Sequence, residues 1–81
     1  MRGFLEVIPG VCISTRRILS IEIQEHKELT GMIYRILVFT DIPDNQQVPI
    51  TYVYDHRLFN DRESAMAALR DVVVQCEGAA D

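Results

Sequence analysis

Within Ile18–Glu25, apolar Leu19, Ile21 and Ile23 alternate with polar Ser20, Glu22 and Gln24, and this period of two predicts a β-strand with one buried face. The next apolar segment, residues 32–40 (MIYRILVFT), differs because both of its faces are apolar apart from Arg35. Such a pattern predicts a strand that is covered on two sides. Residues 48–55 (VPITYVYD) predict a further strand, whose apolar face carries Val48, Ile50, Tyr52 and Tyr54.

The N-terminal part of the chain predicts two short strands, Phe4–Ile8 and Val11–Ser14. Pro9-Gly10 between them is a turn dipeptide. We expect loops at residues 26–31 and 41–47, because both stretches are polar and each contains a glycine or a proline.

The C-terminal part of the chain predicts one amphipathic helix. Asn60 is a good N-cap, and Glu63 three residues later completes a capping-box pattern. Gly78 is expected to end the helix, which leaves residues 78–81 as a frayed tail after a single domain at 1–77. One apolar stripe follows the spacing of three and four residues: Ala65, Met66, Leu69, Val72, Val73 and Cys76.

These elements predict an α+β fold. We expect a small antiparallel sheet of four to five strands in meander order, with the C-terminal helix packed on one face. Hairpins centred between Glu28 and Leu29, and on Asp44, place apolar residues opposite one another. The expected cross-strand pairs are Leu19 with Val38, Ile21 with Ile36, Ile23 with Tyr34 and Glu22 with Arg35, and in the second hairpin Ile36 with Tyr52 and Tyr34 with Tyr54.

The helix can cover only one face of this sheet. The other face retains Ile33, Leu37, Phe39 and Val53, with Pro49 alongside. Exposed apolar patches of this kind are usually covered or bound by a partner. Three covers are open: the N-terminal segment folded across the face, a second copy of the chain, or a different protein.

Charge narrows the choice of partner. The chain has 81 residues and a formal net charge of -4, which argues against non-specific binding to nucleic acid or to acidic membranes. Its basic residues are nevertheless almost all arginines, which suit contacts with phosphates and carboxylates. Four of them could form an edge patch for an anion or a partner, and the alternative function is therefore a single-stranded nucleic-acid-binding protein: Arg16, Arg17, Arg57 and Arg62.

Catalytic chemistry finds little support in the sequence. No nucleophile elbow, phosphate loop or zinc spacing is present, so we expect no enzyme activity, no catalytic residue and no cofactor. His26 and His56 each have carboxylates beside them, but we expect exposed loop histidines and no metal site. Cys12 and Cys76 are expected to be buried free thiols.

No apolar run approaches the roughly 20 residues of a membrane span. The N-terminus reaches a glutamate after two apolar residues, so it is not a signal peptide. We therefore expect a cytoplasmic protein that does not bind membranes.

The run FLEVIPGVCISTRRILSIEIQE resembles the start of small bacterial proteins such as the flagellar FlbD family, in which a hairpin and a final amphipathic helix follow. Pro9-Gly10 stands where such proteins tend to carry asparagine-glycine. The resemblance implies a short accessory or regulatory protein of a bacterium or phage that acts by contact. Together these observations predict a small non-catalytic interaction module, self-associating as a homodimer through Ile33, Leu37, Phe39 and Val53.

Overall fold

Five strands and one helix make up the chain in a computed structural model, which describes residues 3–79. The strands form two antiparallel sheets, one with two strands and one with three, so the predicted α+β class is confirmed. Single 3₁₀ turns lie at Thr15–Arg17 and Tyr54–His56. The elements are β1 Phe4–Ile8, β2 Val11–Ser14, β3 Ile18–Glu28, β4 Gly31–Pro43, β5 Pro49–Val53 and α1 Arg62–Ala79.

The strand order separates the two hairpins. β1 pairs with β2 alone, and the larger sheet has the order β3–β4–β5. The expected meander is therefore divided after β2, where the 3₁₀ turn redirects the chain.

The β3–β4 hairpin is longer than predicted, and its register differs by two residues. Ile21 lies opposite Val38, and the strands continue through the predicted loop at 26–31 until Glu28 pairs with Gly31. A shift of two residues keeps every side chain on its predicted face. The apolar pattern thus specifies the face of each strand without specifying its register.

The β4–β5 pairing shows the same difference. Tyr52 lies opposite Val38, where Ile36 was predicted. β4 extends to Pro43, and the short loop that follows is held by Asp44. The Asp44 carboxylate accepts hydrogen bonds from two backbone N–H groups of the loop, at 2.7 and 3.0 Å. Because Asp44 stabilises a short turn, β4 extends into residues 41–43, which the polar composition of residues 41–47 had indicated as loop.

Two predictions about β3 side chains are wrong. A β-bulge between Ile18 and Ser20 turns Leu19 out of the core, and its side chain is 67% exposed. The register also places Glu22 opposite Leu37, so Glu22 does not pair with Arg35. The guanidinium of Arg35 instead donates a hydrogen bond to the side chain of Gln24, its neighbour across the strands.

Helix α1 is capped by Asp61, and the prediction of Asn60 as N-cap is wrong by one residue. The Asp61 carboxylate accepts hydrogen bonds from the backbone N–H of Ser64 at 2.8 Å and from its hydroxyl at 2.9 Å. These bonds lower the pKa of Asp61 below its ordinary value. At the other end the helix continues through Gly78 to Ala79. Of the predicted frayed tail, Ala80 and Asp81 lie outside the described residues.

Acid is expected to weaken this cap. A carboxylate with a lowered folded-state pKa stabilises the fold above its unfolded-state pKa, and the contribution is lost as pH falls through the folded value. Between pH 7 and pH 3 the wild-type Tm should therefore fall further than that of Asp61→Asn, which keeps a neutral capping side chain. Thermal unfolding followed by circular dichroism measures this. Asp71→Asn, on the exposed side of the same helix, should retain the wild-type pH dependence.

The core lies between the larger sheet and a layer formed by α1 and the β1–β2 hairpin. One cluster joins the hairpin to the sheet and helix, with buried Leu5, Val7, Ile13, Val38 and Val72. The other joins the helix start to the sheet, with buried Ile36, Phe59 and Ala65. The β1–β2 hairpin therefore lies on the same side of the sheet as α1. The N-terminal segment was one of the three possible covers of the reverse face, and the described hairpin does not cover it.

The apolar stripe predicted for α1 faces the core, except at one margin. Ala65, Leu69, Val72 and Cys76 pack against the two clusters, as predicted. Val73 was assigned to the same stripe but is 39% exposed, because it lies at the margin of the helix face beside β3.

Thr40 is the buried polar side chain of the described core, and its hydroxyl donates a 2.7 Å hydrogen bond to the carbonyl oxygen of Ile50. Thr40→Val keeps the shape but leaves this carbonyl without its partner, which should reduce the free energy of unfolding by about 1–3 kcal/mol. Urea denaturation measures the loss. Thr30→Val in the exposed β3–β4 turn is the matched control and should change stability little. Equal losses in both variants would contradict this role.

Candidate interaction surface

The face of the β3–β4–β5 sheet opposite α1 is called the open face here, and it carries all four apolar residues of the predicted interface. Alternation along β4 places Ile33, Leu37 and Phe39 on it, and Val53 joins them because it pairs with Leu37. Neither core cluster includes any of these four side chains. Within residues 3–79, this sheet is therefore packed on its helix side alone.

Leu37, Phe39 and Val53 form one continuous apolar strip. Leu37 lies between Val53 of β5 and Glu22 of β3. Phe39, two residues further along β4, lies between Thr51 and Ser20. The strip thus follows β4 and β5, and β3 forms a polar border along one side.

Ile33 is separated from this strip. Arg35 occupies the same face between Ile33 and Leu37, and it is held by its hydrogen bond to Gln24. Ile33 instead lies opposite His26 near the end of the hairpin. The structure therefore places three of the four predicted interface residues side by side, and Arg35 separates the fourth, Ile33, from them.

The four side chains are half-buried, because neighbouring residues on adjacent strands shield part of each one. What remains accessible is the outward surface of the three-stranded sheet. This geometry suits packing against another sheet, in which two inner faces lie about 10 Å apart.

The two histidines are not placed together for metal binding. His26 belongs to β3, where a loop was predicted, and its Nε2 lies 3.4 Å from a carboxylate oxygen of Glu28. His56 lies in the 3₁₀ turn after β5, where it and Asp55 have positive φ angles. Among the described residues, no group of three or more histidine, cysteine, aspartate or glutamate side chains could hold a metal ion.

The four predicted contact arginines lie at two ends of the sheet. Arg17 forms a 2.7 Å ion pair with Asp41, and Arg16 lies beside it in the same 3₁₀ turn. At the other end, Arg62 forms a 3.1 Å ion pair with Glu25, and the guanidinium of Arg57 lies 4.8 Å from the ring centre of Phe59. Both Glu25 and Phe59 pair with Tyr34 of β4, which locates this second group of arginines.

Distance along β4 separates these two groups. Asp41 follows Tyr34 by seven positions, which corresponds to about 23 Å of extended strand. The arginines therefore do not form one continuous patch along an edge. Two of them also form ion pairs with carboxylates. Aromatic rings on a sheet can stack on unpaired bases, but the three tyrosines of this sheet lie on its core side: Tyr34, Tyr52 and Tyr54.

Both cysteines are free, and one is not where the sequence predicted. Cys12 is exposed on β2, because the face of the hairpin that carries it points away from the core. Cys76 is half-buried, and burial raises the pKa of its thiol, which keeps it protonated at neutral pH.

An open groove of about 520 Å³ runs between the start of β3 and the last turns of α1. Its walls are mainly apolar and include Ile18, Ile21, Val73 and Cys76, and Glu77 lies at its rim. The groove lies beside the edge of the sheet on the helix side, so it is distinct from the open face.

Sequence reasoning missed several exposed apolar residues near that edge. Leu29 at the β3–β4 turn is fully exposed, and Leu19 at the bulge is largely so. The two leucines lie at opposite ends of β3. A bulge has no simple signature in the apolar pattern, so the exposure of Leu19 could not be predicted. Leu29 was correctly placed in the turn between the strands.

Comparison with known proteins found no matching family model, no matching curated protein and no matching solved structure. A search of the described residues for a helix long and apolar enough to cross a membrane also found none.

Proposed function

We propose that this protein is a non-catalytic interaction module with a regulatory or accessory role, and that it self-associates through the open face. The observation that carries the proposal is the continuous strip of Leu37, Phe39 and Val53 on a sheet face that no element of residues 3–79 covers. Apolar surface of this kind gains free energy when it is removed from water.

A second copy of the same chain is the occupant that fits this face best. In a two-fold contact the same surface must complement itself, so apolar strips meet and the charges must find opposite partners. The open face carries both an exposed carboxylate, Glu22, and a guanidinium, Arg35, which has only an amide as its hydrogen-bond partner among the described residues. These two groups supply a charge pair between copies at the border of the strip.

The proposal is tested by placing charge in the strip without disturbing the fold. Leu37→Lys faces Glu22 across the strands, so a favourable cross-strand pair should preserve stability. Phe39→Asp faces the small polar residues Ser20 and Thr51. Both variants should at least halve the solution mass, and agreement between opposite charges would show that loss of apolar contact is the cause.

Matched controls introduce the same charges elsewhere. Val74→Lys changes an exposed apolar residue of α1, and Leu58→Asp changes one between β5 and the helix. Both controls should keep the wild-type mass. If Leu37→Lys and Phe39→Asp remain folded and also keep the wild-type mass, the open face is not the contact surface.

A further inference from the structure

We propose that β3 also pairs along its free edge with β3 of a second copy, in an antiparallel arrangement that joins two three-stranded sheets into one of six strands. β3 is an edge strand of eleven residues, whereas the other edge, β5, has five and has β1 against it. An edge strand presents unpaired backbone N–H and C=O groups that can accept a further strand. This contact uses the backbone edge of β3 and not the apolar strip, although Glu22 borders both. It does not rest on the proposed function.

The faces of the joined sheet restrict the possible registers. Residues directly opposite in an antiparallel pair point to the same face. Even- and odd-numbered residues of β3 point to opposite faces of the sheet. The two helices therefore lie on the same side only if even-numbered residues face even-numbered residues of the second copy. This condition places the two-fold axis at a residue and not midway between two residues. Only a few residues near the middle of β3 can serve as this centre.

Side-chain pairing together with strand overlap favours one of these centres. An axis on His26 would pair Glu25 with Lys27 but would overlap only residues 24–28 of β3. An axis on Glu22 or on Glu25 would place identical carboxylates opposite each other, and an axis on Ile23 would create no charge pair. An axis on Gln24 places Glu22 of each copy opposite His26 of the other, so that an imidazole N–H can donate a hydrogen bond to the carboxylate, and the same contact forms twice. His26 then lies between this carboxylate and that of Glu28 in its own chain.

The ends of the strand agree independently with the same centre. With the axis on Gln24, exposed Leu19 at the bulge of one copy lies beside exposed Leu29 at the turn of the other. This pairing removes from water two of the most exposed leucines of the chain, once at each end. On the helix side, Lys27 comes opposite Ile21, next to the groove whose rim carries Glu77.

The same features limit the assembly to two strands at this edge. The bulge at Leu19 and the turn at Leu29 end the regular part of β3 on either side, so one partner strand of equal length fits. Because the two-fold operation uses each edge once, the contact closes and does not propagate.

Disulfide trapping tests the register directly. In a Cys12→Ser, Cys76→Ala background, Gln24→Cys would place its thiol opposite the same residue of the second copy. Opposite residues have Cα atoms about 4.5–5.5 Å apart, which a disulfide can bridge. Under mild oxidation this variant should convert to a covalent dimer of twice the monomer mass on a non-reducing gel.

Neighbouring positions provide the controls. Glu22→Cys and His26→Cys alone should not cross-link, because each residue is four positions, or about 13 Å, from its own copy across the pair. An equal mixture of the two variants should cross-link. Retention of the wild-type circular dichroism spectrum and a cooperative melt verifies that each variant is folded.

The same experiment is repeated with Phe39→Asp added, which separates this contact from the open face. Edge pairing predicts the same cross-linking pattern in the Phe39→Asp variants. This holds even if Phe39→Asp keeps the wild-type solution mass, which would show that the open face is not used. No cross-linking of Gln24→Cys, equal cross-linking at all three positions, or loss of the pattern with Phe39→Asp would each overturn the proposal.

Discussion

Val38→Asp is expected to unfold the protein, whereas Phe39→Asp, one residue later on the same strand, is expected to leave it folded. Val38 is fully buried between the sheet, the hairpin and the helix, where it packs against other apolar side chains. An unpaired carboxylate at such a position costs several kcal/mol. The total stability of a chain of this size is on the order of 3–5 kcal/mol, so this cost is decisive.

Far-UV circular dichroism and thermal melting of the two variants provide the measurement. Phe39→Asp should keep a cooperative transition, because its side chain lies on the open face and outside both core clusters. If Val38→Asp folds as well as the wild type, or if Phe39→Asp is the variant that unfolds, the assignment of the two faces is reversed and the interaction surface is misplaced.

Leu5→Ala is expected to cause the second large loss, about 2–5 kcal/mol in the free energy of unfolding. Leu5 is buried where the β1–β2 hairpin contacts the sheet and α1, so truncation leaves a cavity in the larger cluster. The neighbouring substitution Phe4→Ala is the matched control. Phe4 points to the other face of β1 and is 45% exposed, so its truncation should cost much less.

Urea denaturation of the two variants tests where the hairpin docks. A hairpin on the helix side makes Leu5 important and leaves self-association through the open face intact. Similar losses for Leu5→Ala and Phe4→Ala would contradict this packing. A change of solution mass in folded Leu5→Ala would show that the hairpin takes part in the contact between copies.

The sequence predicted the strands better than their partners. Alternation in β3 and β4 depends on burial of one face, and this physical cause is visible in a single segment; Ile21 and Val38 are accordingly on the predicted side. Register depends on the turn and on bulges, which are set by a few backbone conformations. The pairing was therefore displaced by two residues and Leu19 was assigned to the core.

The candidate surface was predictable for the same reason that the faces were. Leu37, Phe39 and Val53 occupy the side that the helix leaves free, whichever of the two registers is adopted. The position of the N-terminal hairpin was not predictable, because either face of the larger sheet is apolar enough to receive Leu5 and Val7. The arginines were misjudged as one group, since their separation depends on how the 3₁₀ turn and the helix start are placed in space.

The two proposed contacts use different parts of the three-stranded sheet. The open face supplies apolar area, and the β3 edge supplies backbone hydrogen bonds and a specific register. The function that we propose from these contacts is to position copies of the chain relative to one another. Its regulation would then follow from concentration, because association depends on mass action.

Light scattering behind a sizing column, over about a hundredfold range of protein concentration, tests the central claim most directly. We expect the wild-type mass to exceed that of the monomer. Leu37→Lys and Phe39→Asp should lower it by half or more, while Val74→Lys should leave it unchanged. A wild-type protein that remains a monomer at every concentration would contradict self-association through the open face.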